Sequence, residues 1–220
     1  MPRLLLFDID CTLIDTGGAG MAALKEAACE LFGAEGPELD LAGSTDSGIV
    51  GGMLEHFGSD LSLEEFYHVY LTKLEPNLES YAGRVLPGVI SLLSELEKTD
   101  ATLGLLTGNI SKGAKAKVDY YGLESYFSIS VGAYGDDHHD RNKLGPVALQ
   151  RANAECDRDF SAQNTIVIGD TPKDIACGKA MGALTLAVAT GGFSVDQLSS
   201  YEADLTVPDL TSAEVREFLK

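Results

Sequence analysis

The sequence predicts an α/β fold, a Rossmann-like doubly wound parallel sheet with an inserted α-helical cap subdomain. Three observations predict it. Short apolar runs without polar alternation recur along the chain, segments of helical spacing lie between them, and one long stretch after the first run breaks that rhythm. Strands covered on both faces read as continuous apolar runs. Strands that alternate with helices assemble into a parallel sheet. At 220 residues, 45% hydrophobic and 23% charged, the chain can bury one substantial core.

The elements follow in order. Residues 4–7, 102–106, 129–131, 165–168, 184–188 and 204–207 are the predicted strands. Residues 89–98, 112–121, 144–155 and 173–181 carry apolar side chains at helical spacing. The stretch from Thr16 to Gly83 contains helical stripes and no strand signal. Met21, Leu24, Ala28, Leu31 and Phe32 make one stripe. Leu63, Phe66, Tyr67, Tyr70, Leu71 and Leu74 make another, opened by Ser62 and Glu65 as a capping box and closed by Pro76. The cluster Gly43, Gly48, Gly51 and Gly52 separates the two stripes. The expected division is an α/β core of residues 1–15 and 84–220 with a helical cap of residues 16–83, hinged near Gly17-Gly18 and at residues 83–88. A helical unit at the mouth of a sheet is well placed to act as a lid.

Composition excludes several classes. Lys and Arg number 16 against 34 Asp and Glu, a formal charge of −18. Such a surface repels a nucleic-acid backbone or an anionic membrane, and no basic run offsets it. The apolar run ending at Phe7 is too short for a signal-peptide core or a membrane span. Cys11, Cys29, Cys156 and Cys177 form no C-x-x-C pair, as expected of reduced residues in a cytoplasmic protein.

In an open α/β sheet, ligands sit beyond the carboxyl ends of the strands. The first strand delivers Asp8-Ile9-Asp10-Cys11-Thr12 there, and residues two apart in extended chain face the same side. The strand at 102–106 delivers Thr107-Gly108-Asn109, and the strand at 165–168 delivers Gly169-Asp170-Thr171-Pro172-Lys173-Asp174. Converging carboxylates repel by about 4 kcal/mol per pair at ~4 Å and an effective dielectric of ~20, so they call for a hard cation or a trapped proton. Oxygen ligands with open positions favour Mg²⁺, which also binds substrate phosphate. A hydroxyl, a small residue and an amide at 107–109 suit phosphoryl oxygens, although the same tripeptide also reads as a plain turn. The set points to phosphoryl transfer.

Other residues carry two readings. Thr171-x-x-Asp174 with Pro172 is also a capping box at a helix start. Either Arg141 or Lys143 could neutralise a phosphoryl group, and Arg141 is preferred because it directly precedes Asn142, the expected helix cap. His138 and His139, flanked by Asp136, Asp137 and Asp140, read as a solvated loop more readily than as a metal tract, since no third spaced ligand accompanies them. His56 and His68 read as structural.

Taken together, Asp8-x-Asp10-x-Thr12, then Thr107, then a basic residue, then Gly169-Asp170-x-x-x-Asp174 resemble the motifs of the haloacid dehalogenase superfamily, in order and across nearly the whole chain. The segment Gly43-Ser44-Thr45-Asp46 is similar to the cap of phosphoglycolate-phosphatase-like members, which often carry Arg where this chain has Ser44. Cys11 stands where Gly is common. The resemblance implies a Mg²⁺-dependent phosphatase of a small phosphate monoester, with Asp8 as nucleophile and Asp10 as general acid and then base. Asp10 would therefore be protonated at the outset. It implies Mg²⁺ held by the Asp8 carboxylate, the Asp10 carbonyl and Asp170, with Asp174 in support. A small phosphorylated metabolite is the expected partner. A phosphomutase shares these motifs, and a non-catalytic module would keep only the fold. A dehalogenase is disfavoured by the presence of Asp10.

Overall fold

The computed structural model describes residues 2–38 and 42–220. Its centre is β1 (Leu4–Phe7), all four residues of which are buried. The strand pairs in parallel with β4 (Thr102–Leu106) on one side and β6 (Thr165–Gly169) on the other. With β5 (Gly132–Ala133), β7 (Leu184–Val188) and β8 (Leu205–Val207), these form a six-stranded sheet in the order β5-β4-β1-β6-β7-β8. The chain therefore leaves β1 toward one edge and later crosses to the other, which makes the end of β1 a topological switch point.

Side chains along β1 alternate between two helical layers, as the pleat requires. Leu5 and Phe7 join one core with α4 (Val89–Leu96), α5 (Ser111–Tyr120) and α9 (Ala213–Phe218). Leu4 and Leu6 join the other, with α6 (Leu144–Cys156) and Cys177 of α7 (Pro172–Met181). A sheet covered on both faces has no solvated side to mark with polar residues, which is why its strands lack alternation.

The inserted unit consists of α1 (Ala19–Phe32), α2 (Asp46–Phe57) and α3 (Leu63–Ser80). These helices share their own core of Leu24, Val50, Met53, Phe66 and Leu74, with Phe32 stacked on Phe57 at 4.5 Å. Ile110 of the sheet's loops packs into that same core. Where the chain leaves and re-enters the α/β body, β2 (Ile14–Asp15) and β3 (Arg84–Val85) form an antiparallel pair, a small ribbon that the sequence does not announce.

Several expectations need correction. Gly48, Gly51 and Gly52 lie inside α2, so the glycines do not separate the helices; packing of Ile49, Val50 and Met53 carries the helix through them. Pro76 lies inside α3 and does not end it, since the buried Leu74, Asn77 and Leu78 hold the helix together on both sides of the proline. The expected strand at 129–131 is displaced to Gly132–Ala133, where Leu105 and Leu106 supply the pairing. The short helices α8 (Val195–Ser199) and α9 were not predicted at all, each being too brief to show a period.

One glycine is fixed by both conformation and space. Gly88 caps α4 with φ +85°, and a Cβ there would lie 2.4 Å from the backbone carbonyl carbon of Leu210. Gly88→Ala is expected to destabilise the protein by more than the roughly 1–2 kcal/mol of a left-handed alanine alone. Urea unfolding would measure this, with a shift of the midpoint at unchanged slope as the expected result.

Candidate active site

Register explains why the acidic residues meet. Phe7 is paired with Leu105 on one side and Ile168 on the other, so β1, β4 and β6 end side by side. The next residues of each strand, Asp8, Thr107 and Asp170, therefore enter one volume. Asp8 extends the pairing by one step, its N–H donating to Ile168 O at 2.8 Å. Beyond it the chain turns sharply: Ile9 O accepts from the N–H groups of Leu13 and Ile14, and Cys11 takes a left-handed φ of 59°. Asp8, Cys11, Thr107 and Asp170 help to line a cavity of about 340 Å³ between the sheet end and the inserted helices.

Asp8, Asp170 and Asp174 are all buried, with one oxygen of each within 4.8 Å of the others. Arg141 holds this cluster together. Its Nη2 donates to Asp8 Oδ1 at 2.9 Å and to Asp174 Oδ1, and its Nη1 donates to Gly43 O at 3.1 Å. Its Nε–H is buried without an acceptor among the described residues. Asp174 is fully engaged, because its second oxygen accepts from Thr171 N at 3.0 Å and Thr171 Oγ1 at 2.6 Å. Asp174 thus caps α7 in a capping box and also anchors Arg141.

Electrostatics at this point favour a cation. Burial pushes the Asp8 carboxyl up to about 7, with Arg141 opposing and Asp174 and Asp10 reinforcing the shift. Burial, Asp174 and Asp8 push Asp170 up to about 9. Among the described residues the Asp170 carboxyl accepts a long hydrogen bond from Thr12 Oγ1 at 3.4 Å and one from its own backbone N–H. Hard, buried carboxyl oxygens that a cation would hold in the ionised form are the donor chemistry that suits Mg²⁺. The residues present fit that ion, with Asp8 and Asp170 as its side-chain ligands and the committed Asp174 behind them.

Asp10 belongs to a second network. Lys117 Nζ donates to Asp10 Oδ1 at 2.7 Å, to Asp10 Oδ2 at 2.6 Å and to Asn109 Oδ1 at 2.6 Å. Asn109 Nδ2 donates to Asp10 Oδ2 at 2.7 Å and to Thr107 Oγ1 at 2.8 Å. The Asn109 amide, expected to meet phosphate, is thus hydrogen-bonded to Asp10 and Thr107. Lys117, only 3% exposed, was not anticipated. Its signal in the sequence is a lysine on the face of α5 that carries Ala114 and Val118, where the helical spacing calls for an apolar residue.

The cap closes over these loops through residues 43–46. Asp46 Oδ2 accepts from Ile110 N at 2.8 Å, and Asp46 N donates to Gly108 O at 2.7 Å. A Cβ at Gly108 would lie 2.0 Å from Ser44 O, so only glycine permits this approach. Burial pushes the Asp46 carboxyl up to about 6 against the pull of Lys117 and the Ile110 N–H.

Of the two basic candidates, Arg141 is the one at the site; Lys143 is exposed and does not line the cavity. Asn142 is not the helix cap. Asp140 caps a short 3-10 turn at Arg141–Lys143, accepting from Asn142 N at 3.0 Å, and α6 follows directly. His138 and His139 stack on each other at 4.6 Å, and His138 Nδ1 accepts from Asp140 N, so the pair shapes a turn. Among the described residues neither belongs to a metal-type cluster. Burial and the surrounding acids push the Cys11 thiol up to about 12, which keeps it protonated beside the cavity.

Comparison with known proteins places this geometry. The family model of haloacid dehalogenase-like hydrolases matches residues 5–188. The chain is 29% identical to the "Probable phosphatase IndB" of Dickeya dadantii, over 94% of this chain and 90% of that protein. It is 26% identical to a phosphoglycolate phosphatase of Aquifex aeolicus, over 99% and 95%. Among solved structures, CbbY from Rhodobacter sphaeroides in complex with phosphate superposes with a TM-score of 0.75 at 16% identity, covering 96% of each chain, a likeness of fold. The family match spans the sheet from β1 to β7 and the helical insertion: the chain belongs to the haloacid dehalogenase-like hydrolases.

Proposed function

We propose that this hydrolase is a Mg²⁺-dependent phosphatase that cleaves a small phosphate monoester through an aspartyl-phosphate on Asp8. One observation carries the reading: two buried carboxylates, Asp8 and Asp170, converge beside Arg141, whose Nε–H has no acceptor among the described residues. An unpaired buried donor next to a nucleophile suits a phosphoryl oxygen. The names of the relatives over nearly the full length, a phosphatase and a phosphoglycolate phosphatase, support the same class.

The chain's own residues divide the work. Asp8 presents Oδ2 to phosphorus while Arg141 holds Oδ1, which fixes the angle of attack. Arg141 and the Thr107 hydroxyl receive the equatorial oxygens of the transferring group. Asp10 faces the leaving oxygen; as a carboxylic acid it protonates the leaving alcohol, and as a carboxylate it then takes a proton from the water that opens the acyl phosphate. Because Lys117 and Asn109 occupy both Asp10 oxygens, the first step requires one of these contacts to open as substrate enters. Mg²⁺, when bound by Asp8 and Asp170, offsets the repulsion between the carboxylate and the phosphate dianion. The same reading puts the enzyme in the cytoplasm, a reducing setting that suits its four free thiols. Among the described residues, no helix is long and apolar enough to cross a membrane.

Asp8→Asn is expected to reduce phosphate release at least about 10³-fold, with an unchanged circular dichroism spectrum, and beryllium fluoride with Mg²⁺ should stabilise the wild type but not the variant. Full activity of Asp8→Asn, or full activity in excess EDTA, would remove the nucleophile or the metal from the mechanism.

Stability should report the same cluster. Asp8 and Asp170 are raised from 3.8 to about 7 and about 9, so between these values the folded protein binds protons that the unfolded chain has released. Without metal, stability is therefore expected to fall as pH rises from about 4 toward about 9. Mg²⁺ binds the deprotonated oxygens and should reverse the loss, raising Tm more at pH 8.5 than at pH 6. Equal Mg²⁺ shifts at the two pH values, measured by calorimetry, would contradict this.

A further inference from the structure

We infer that the leaving group of the substrate is an uncharged, largely apolar alcohol, so that esters bearing a second anion, such as a carboxylate or another phosphate, are poor substrates. This deepens the phosphatase reading and rests on it. The inference comes from the charges that line the cavity and from how each is already used.

The cavity has two cationic side chains, Arg141 and Lys117. Arg141 sits at the phosphoryl end, bound to Asp8 and Asp174. Lys117 sits toward the cap, against the first turn of α1, where a Cβ on Gly20 would lie 3.2 Å from its Nζ. An ammonium has three hydrogens. In the substrate-free arrangement those of Lys117 are directed to both oxygens of Asp10 and to Asn109 Oδ1, so all three are already used at the general acid.

The other charged residues on this wall are acids. Asp15 and Asp46 line the cavity on the cap side, in addition to Asp8, Asp10 and Asp170. Lys173 lines the neighbouring opening and donates to Ser44 Oγ at 2.8 Å. Residues 39–41, outside the described part of the cap, are Leu, Asp and Leu and bring no cation. A carboxylate on the leaving group would thus be desolvated among acids without a counter-ion, which is the expensive case for burying charge.

Much of the remaining wall is apolar, beside the hydroxyls of Thr16 and Ser44. Met21 and Leu24 of α1, Ile49 of α2, Tyr70 of α3 and Phe193 surround the space facing the phosphoryl site. At about 340 Å³ the cavity has the size of a small-ligand pocket. One end is charged by the phosphoryl machinery and the other sets apolar side chains beside the acids Asp15 and Asp46, a lining that matches a phosphate ester whose alcohol is apolar and carries no anion.

The test compares isosteric esters on the full-length enzyme with Mg²⁺: phosphoglycolate against the phosphate ester of glycolamide, which differs by one charge, and benzyl phosphate against ethyl phosphate, which differs in apolar surface. Expected are a kcat/KM at least about tenfold higher for the glycolamide ester and a clear preference for benzyl over ethyl. The charge preference should persist at ~1 M salt, where the Debye length is about 3 Å, because it is local and not a product of the overall acidity. Met21→Arg, at a half-exposed position, should raise turnover of phosphoglycolate relative to the glycolamide ester at least about tenfold. Equal or better turnover of phosphoglycolate by the wild type would overturn the inference while leaving a phosphatase in place. Failure of Met21→Arg to alter the ratio, in a variant that still cleaves the glycolamide ester, would also overturn it. Release of phosphate from none of these esters would instead sink the phosphatase reading, and the inference with it.

Discussion

The pairing of Arg141 with Asp8 and Asp174 is the constraint around which the rest of the site is arranged. Parallel strands that end in register bring acids from different parts of the chain within a few ångströms, and burial makes their charge costly. One guanidinium bridging two carboxylates keeps the cluster together, and its planar fork does so without filling the cavity. Asp174 can serve only because Thr171 holds its other oxygen, so the start of α7 is tied to the chemistry by a cap. What negative charge remains lies on Asp8 and Asp170, facing the space that a divalent cation and a phosphate would share.

A second polar network keeps Asp10 apart from that cluster. Lys117 and Asn109 orient it from α5 and the loop after β4, while Asp8 is oriented from the loop before α6. Two acids separated by one residue in the chain thus have different partners and different surroundings, which suits two roles. The cap reaches both networks: Gly43 O accepts from Arg141, and Asp46 accepts from the Ile110 N–H beside Asn109. The inserted helices and the loops at the sheet end are thereby tied together through a few backbone groups.

The legible features were those with local causes. Asp8, Asp10, Thr107 and Asp170 could be placed because an apolar run followed by polar residues marks the end of a buried strand wherever it occurs. Arg141 and Lys143 could not be separated with certainty from sequence, since a single 3-10 turn decides which side chain faces inward. Lys117 was missed because its partner Asp10 lies 107 residues away. The glycines of α2 and Pro76 of α3 misled for the same reason: local propensity opposes a helix there, and burial against α1 and α3 overrides it.

The sequence by itself determined the fold class, the insertion of a helical unit after the first strand, and the acids at the strand ends, because periodicity and strand termini are written in neighbouring residues. The tertiary structure decided which of the two basic residues lies at the acids, how each acid is partnered, and which apolar side chains meet in the cavity. Those outcomes depend on register and on helix packing, which bring residues together across the chain and which no local pattern encodes.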